Sequence, residues 1–212
     1  MPKTETIDRL LMHALRAFAE HGFSGASLRT IVSDAGMPLA TVHNHFQSKD
    51  ALYLAVIEDC LARINRQRIA LLDAARAAQP LTLRAVVDAI VDPVARCWAA
   101  PDDANRYFVL LVRQLGGAPT RLLCRVHAEY LDHTALRFAQ ALCQVCPHLS
   151  QERAVHHYSF LVSSVYHSLA QHERLAGLLG RDSDALHLAR LVDDLKAFAV
   201  AGMSNSCTAG AA

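Results

Sequence analysis

SLRTIVSDAGMPLATVHNHFQSK, residues 27 to 49, encodes two short helices and a tight turn. Ser27 is a residue type that caps helix N-termini, and Leu28, Ile31, Val32 and Ala35 follow at the i, i+3, i+4, i+7 spacing of one buried face. Gly36 stands directly after the last apolar position, where a chain enters the left-handed region to stop a helix, and Pro38 presets φ for the first turn of the next. In that second helix Val42 and Phe46 share the inner face, while Ala40, Thr41 and Asn44 lie roughly opposite. A Gly-containing turn of this length between two short helices is the helix-turn-helix spacing, and equally that of an ordinary corner between packed helices.

Working outward, residues 7 to 21 carry Ile7, Leu10, Leu11, Ala14, Leu15 and Phe18 on one helical stripe, with Gly22 ending the helix and Phe23 folding back on it. Helices one to three are expected to enclose Leu11, Leu15, Phe18, Phe23, Leu28, Ile31, Val42 and Phe46. On the other side Ser48 is a plausible cap, and no Gly or Pro occurs from there to Pro80 while Leu52, Val56, Ile57, Cys60, Leu61 and Ile64 continue a stripe. A helix of about thirty residues would be roughly 45 Å long at ~1.5 Å per residue, with no flexible linker between head and body.

Phe18 with Gly22-Phe23, Ser27-Leu28-Arg29, Ala35-Gly36, Thr41 and His45-Phe46-x-Ser48-Lys49-x-x-Leu52 span residues 6 to 57, and together they resemble the N-terminal domain of the TetR family of bacterial regulators. The resemblance implies a head whose third helix enters the major groove, with Arg29, Leu39, Ala40, Thr41, His43, Asn44, His45 and Lys49 meeting double-stranded DNA. Residue chemistry agrees: Asn pairs with adenine N6 and N7, Arg with guanine O6 and N7, and a Thr methyl meets a thymine methyl. One departure is His43, which stands where the family usually has Tyr; its charge depends on pH and it offers less apolar area.

Beyond the long helix no strand-like alternation appears. Helices are expected at 82–99 (with Pro93 a kink or break), 103–115, 120–146, 151–176 and 183–201, the last two capped by Ser150 and Ser183. The fold class is therefore all-α, an N-terminal three-helix head at 1–49 fused to a helical body at 50–202, with a disordered tail expected at 203–212. In the family the last two long helices pair with those of a second copy. Tyr158, Val162, Val165, Tyr166, Leu191, Leu195 and Phe198 are the matching homodimer candidates. The family also binds small hydrophobic effectors in the body, for which Trp98, Tyr107, Arg113, Gln114, His127 and Tyr130 are candidates, Arg113 being the cationic anchor. The segment RYFVLLVRQLGGAPTRLLCRVHAEYLDH bears a weaker similarity to a fatty-acid-responsive branch, implying a fatty acid or acyl thioester as effector.

Composition sets the outer bounds. The 212 residues are 52% hydrophobic with formal net charge +1, and residues 1 to 50 balance Lys3, Arg9, Arg16, Arg29 and Lys49 against Glu5, Asp8, Glu20, Asp34 and Asp50. Bulk charge therefore does not advertise nucleic-acid binding, and the face that carries the charge decides. No apolar run reaches bilayer length and the N-terminus lacks signal-peptide architecture, so a cytoplasmic protein with no membrane partner is expected. Its six scattered cysteines are expected as thiols; Cys143-x-x-Cys146 with His148 has no second ligand pair to complete a zinc site. Neither cofactor, metal nor catalytic constellation is expected. These features together describe a dimeric one-component regulator, most simply a repressor released by an effector. The competing readings are a helical interaction module without DNA binding and a thiol- or metal-dependent helical enzyme.

Overall fold

A computed structural model describes residues 3–205, among which every regular element is helical. The elements are α1 (Lys3–Gly25), α2 (Leu28–Asp34), α3 (Leu39–His45), α4 (Lys49–Ala78), α5 (Leu83–Ala99), α6 (Asp103–Arg113), α7 (Thr120–Val126), α8 (Asp132–Val145), α9 (Gln151–Ala170), α10 (His172–Leu178) and α11 (Ala185–Asn205), with a 3-10 turn at Leu115–Gly117 and a π-turn at His127–Leu131.

Two compact units divide the chain: residues 1–62 with 101–130, and 63–100 with 131–212. The unit that contains the helix-turn-helix is thus larger than residues 1–49, because α6 packs along α1 and brings the 101–130 segment with it. Its core is Leu10, Ala14, Phe18, Ile31, Val42, Leu52, Tyr53, Ile57 and Phe108, each at most 1% exposed. The buried stripe of α1 runs through Leu10 rather than Leu11, and Phe23, Leu28 and Phe46 are half-buried. Phe18, Phe23 and Tyr53 form an aromatic cluster, Tyr53 edge-on to Phe18 at 5.0 Å and to Phe23 at 5.2 Å. Burial pushes the Tyr53 hydroxyl up to about 12.

Local chemistry accounts for the helix ends. Gly22 breaks α1 with φ 67 and ψ 177, a region only glycine occupies comfortably, so the stop is an extended kink rather than a left-handed cap. Phe23 does fold back, stacking on Phe18 at 6.3 Å. Gly36 has φ 64, as the end of α2 requires. Ser27 occupies the N-cap of α2 with no side-chain bond, and Pro38 is the N-cap of α3 rather than its first residue. Ser48 caps α4 through its Oγ, which accepts from Ala51 N at 3.1 Å.

In the second unit α5, α8, α9 and α11 pack around Val86, Val87, Ile90, Phe138, Leu142, Ala154 and Val165, none above 0% exposed. Pro93 lies buried within an unbroken α5. Three expected helices differ from the structure. The one at 120–146 is interrupted by the π-turn, and the one at 151–176 ends at Ala170, where the His172 ring bonds to the Leu169 carbonyl at 3.0 Å and packs edge-on to Trp98. Asp184, not Ser183, caps α11, its Oδ1 accepting from His187 N at 2.7 Å. The same helix runs to Asn205 with Met203 buried, so residues 203–205 are helical rather than tail; 206–212 and Cys207 lie outside the described residues.

Candidate functional site

The helix-turn-helix presents a small polar surface. Val42 anchors α3 at 0% exposure, and on the helix around it Ala40, His43 and Asn44 are exposed while Leu39, Thr41 and His45 are half-buried. Arg29 is exposed on α2. These residues are brought together by three local determinants: the Gly36 turn, the Pro38 cap and the burial of Val42 as α3 packs on α2. Lys49 opens α4 with its Nζ 4.6 Å from the Phe23 ring centroid. Desolvation there lowers its pKa, against the opposing effect of Asp50.

Two acidic groups of the head are engaged by arginines. Arg16 Nε donates to Glu20 at 3.0 Å, and Arg121 Nη2 donates to Asp50 at 2.7 Å. Arg121 comes from α7, beyond the first fifty residues, so counting charge over 1–50 alone understated the cationic character beside the start of α4.

The six effector candidates fall in both units. Trp98 belongs to the second unit, buried against His172, while Tyr107, Arg113, Gln114, His127 and Tyr130 belong to the first. Arg113 and His127 are exposed. Tyr107 lies under the Arg16 guanidinium at 5.9 Å, and the Tyr130 hydroxyl reaches Glu58 at 3.4 Å. Gln114 donates to the Ala19 carbonyl at the end of α1. Tyr107, Gln114 and Tyr130 thus tie α6 and the π-turn to α1 and α4.

The dimer candidates also separate. Tyr158, Val165 and Tyr166 are interior to the chain's own second unit, Tyr158 stacked on Phe138 at 5.7 Å. Val162, Leu191 and Leu195 are half-buried, whereas Phe198 is 76% exposed. Phe160, apolar on the same helix but outside the seven homodimer candidates, is 65% exposed beside His156 and His157. An apolar stretch covering most of a helix's circumference hides which face turns inward, and the face with Phe160 is the outer one.

Two cations are buried in the second unit. Lys196 donates to Asp88 at 2.9 Å and to Asp92; burial works to lower its pKa, but the two carboxylates raise it overall. Arg68 is 1% exposed, its Nε donating to the Ile90 carbonyl at 3.0 Å and its guanidinium 5.9 Å from the Tyr166 ring. Arg68 was not singled out from sequence, although a charge at i+4 from Ile64 and i−4 from Leu72 on an apolar stripe was there to be read. No disulfide joins the five described cysteines, and among the described residues no group of three His, Cys, Asp or Glu side chains is placed to hold a metal. The His148 ring bonds to the Met203 carbonyl at 3.0 Å. No described helix is long and apolar enough to cross a membrane.

Residues 10–56 match the family model "Bacterial regulatory proteins, tetR family" and residues 88–202 match "Tetracyclin repressor-like, C-terminal domain". The chain is 26% identical over 127 residues to the HTH-type transcriptional repressor AcnR of Corynebacterium efficiens, covering 60% of this chain and 57% of that one. The chain thus spans little more than half the length of that curated relative. A TetR-like transcriptional regulator from Rhodococcus sp. RHA1 shares the fold with TM-score 0.65 at 17% identity, over 97% of this chain and 99% of the other. The fatty acid degradation regulator FadR from Bacillus halodurans does so with TM-score 0.64 at 16% identity, over 92% and 98%.

Proposed function

As the chain belongs to the TetR family of bacterial regulators, we propose that it is a cytoplasmic one-component transcriptional repressor that binds a pseudo-palindromic operator as a homodimer and is released by a small apolar effector. The observation that carries this is the outer face of α3: Ala40, His43 and Asn44 exposed over a fully buried Val42, with Thr41 beside them and Arg29 and Lys49 flanking. Asn44 and Arg29 read base edges, Thr41 meets a thymine methyl, and His43, His45 and Lys49 hold the sugar-phosphate backbone. Exposure of Phe160 on α9 and Phe198 on α11 supports pairing of those helices with a second copy. In such a dimer two recognition helices meet half-sites about 34–36 Å apart, or a multiple of that.

An effector works only through unequal affinity for the DNA-competent and DNA-incompetent arrangements. Struts such as Gln114–Ala19 and Arg121–Asp50 fasten the 101–130 segment to the head, so a displacement of that segment would shift α1 and the start of α4. The proposal is tested by selecting duplexes from a random pool with the purified chain at stated salt. A two-fold-symmetric motif is the expected result. No enrichment, even at low salt, would reject DNA readout and favour an interaction module.

A further inference from the structure

The second unit handles its two buried cations differently. Lys196 sits between Asp88 and Asp92, so its charge is compensated on the spot. Arg68 is more deeply buried, yet among the described residues no carboxylate lies within ion-pair reach, and its Nη2 is buried with no hydrogen-bond partner. The Ile90 carbonyl takes Nε, and the Tyr166 ring offers its face to the cation. An arginine cannot shed its proton to escape this situation. A buried unpaired charge is costly, and a polar network left incomplete is costlier than an apolar core.

Apart from the neutral phenol of Tyr158, near enough for the Arg68 charge to favour its ionised form, the neighbouring positions are apolar. Ile64 and Leu72, one turn either side of Arg68 on α4, are 1% and 0% exposed, and Val165 and Leu169 flank Tyr166 on α9 at 0% and 2%. One positive charge in an apolar setting is balanced by one negative charge on an apolar molecule. A dianionic phosphate would leave a charge unpaired, whereas a carboxylate matches both the unit charge and the planar fork of a guanidinium.

We propose that Arg68 is the anchor of the effector, which is an apolar monocarboxylic acid whose carboxylate accepts from the guanidinium Nη2. This deepens the effector-released reading above and rests on it. The anchor moves from Arg113, exposed at the end of α6, to Arg68 on α4.

The test uses the full chain and calorimetric titration with decanoate, decan-1-ol and methyl decanoate. Wild type should bind decanoate at least tenfold more tightly than the two neutral analogues. Arg68→Met, which keeps the side-chain bulk without charge, should bind all three alike, and its ligand-free urea midpoint should equal or exceed that of wild type because an uncompensated charge has gone. Arg68→Lys is the second variant, and it should still prefer decanoate to decan-1-ol. Equal binding of decanoate and decan-1-ol by wild type, undiminished decanoate preference in Arg68→Met, or loss of preference in Arg68→Lys would each overturn the anchor. Operator selection is scored separately: symmetric DNA enrichment without decanoate preference rejects only the anchor, whereas decanoate preference without enrichment rejects only the DNA-binding premise.

Discussion

Gln114 and Ala19, ninety-five residues apart, are joined by a hydrogen bond from the Gln114 amide to the Ala19 carbonyl, and Gln114 Oε1 lies 3.2 Å from where a Cβ on Gly22 would stand. The end of α1 is thereby clamped by α6. Gln114→Ala should lower stability by about 1 kcal/mol, the usual net worth of a hydrogen bond. Gly22→Ala should lower it by about 1–3 kcal/mol, because its backbone region is essentially closed to other residues. The double variant should lose less than the sum, since the two share a contact. Urea denaturation measures all three, and an unchanged midpoint for Gln114→Ala would return that side chain to the effector candidates.

Asn44 and Lys49 should fail in different ways. Asn44→Ala is expected to relax base preference at one position of each half-site, at a cost of about 1–3 kcal/mol for the preferred base. Lys49→Ala should weaken all sequences by a similar factor and reduce the magnitude of the salt slope by about 1. Binding isotherms on matched and single-substituted operators at several salt concentrations separate these patterns. An unaltered preference in Asn44→Ala would remove that residue from readout.

His157 should make the second unit acid-sensitive. Burial chiefly, then the positive neighbours Arg153, His156 and His148, hold its pKa below the ordinary 6.5. The unfolded chain therefore takes up this proton at higher pH than the folded one, so its contribution is complete above about 6.5 and falls as pH drops below that value. Urea midpoints at pH 7.5 and 5.5 should show a smaller acid loss in His157→Gln than in wild type, and equal losses would refute the assignment.

Phe160→Asp and Phe198→Asp should each produce a folded monomer. Both side chains are largely exposed within the single chain, at 65% and 76%, so their replacement should change its own stability by no more than about 0.5 kcal/mol. Sedimentation equilibrium together with circular dichroism gives the answer. A dimer undisturbed by both substitutions would direct attention to another face.

The helix-turn-helix was legible because its determinants are local: Gly36, Pro38, Ser48 and the Val42 position act within a few residues of themselves, and only Pro38 is displaced, by one position, from first turn to N-cap. The break at Gln171 was not, because it depends on how His172 meets Trp98 and the Leu169 carbonyl across the fold. Periodicity also treats every apolar position alike, so it could not separate Tyr158 and Val165, turned inward, from Phe160, turned outward. Arg68 stands four residues from both Ile64 and Leu72, and only the packing of α4 shows that this charge is buried with them. Gln114 and Arg113 are neighbours of similar promise in sequence, and only the packing of α6 on α1 assigns the first to a clamp and leaves the second exposed.

Phe160 and Phe198 carry one more implication. If two copies must meet through those rings before a symmetric operator can be gripped, the cell's supply of the protein becomes part of the signal. Association of identical chains depends on the square of their concentration, so operator occupancy should climb steeply over a narrow span of protein abundance and collapse below it. Operator occupancy would then carry a threshold in protein abundance before any small molecule arrives.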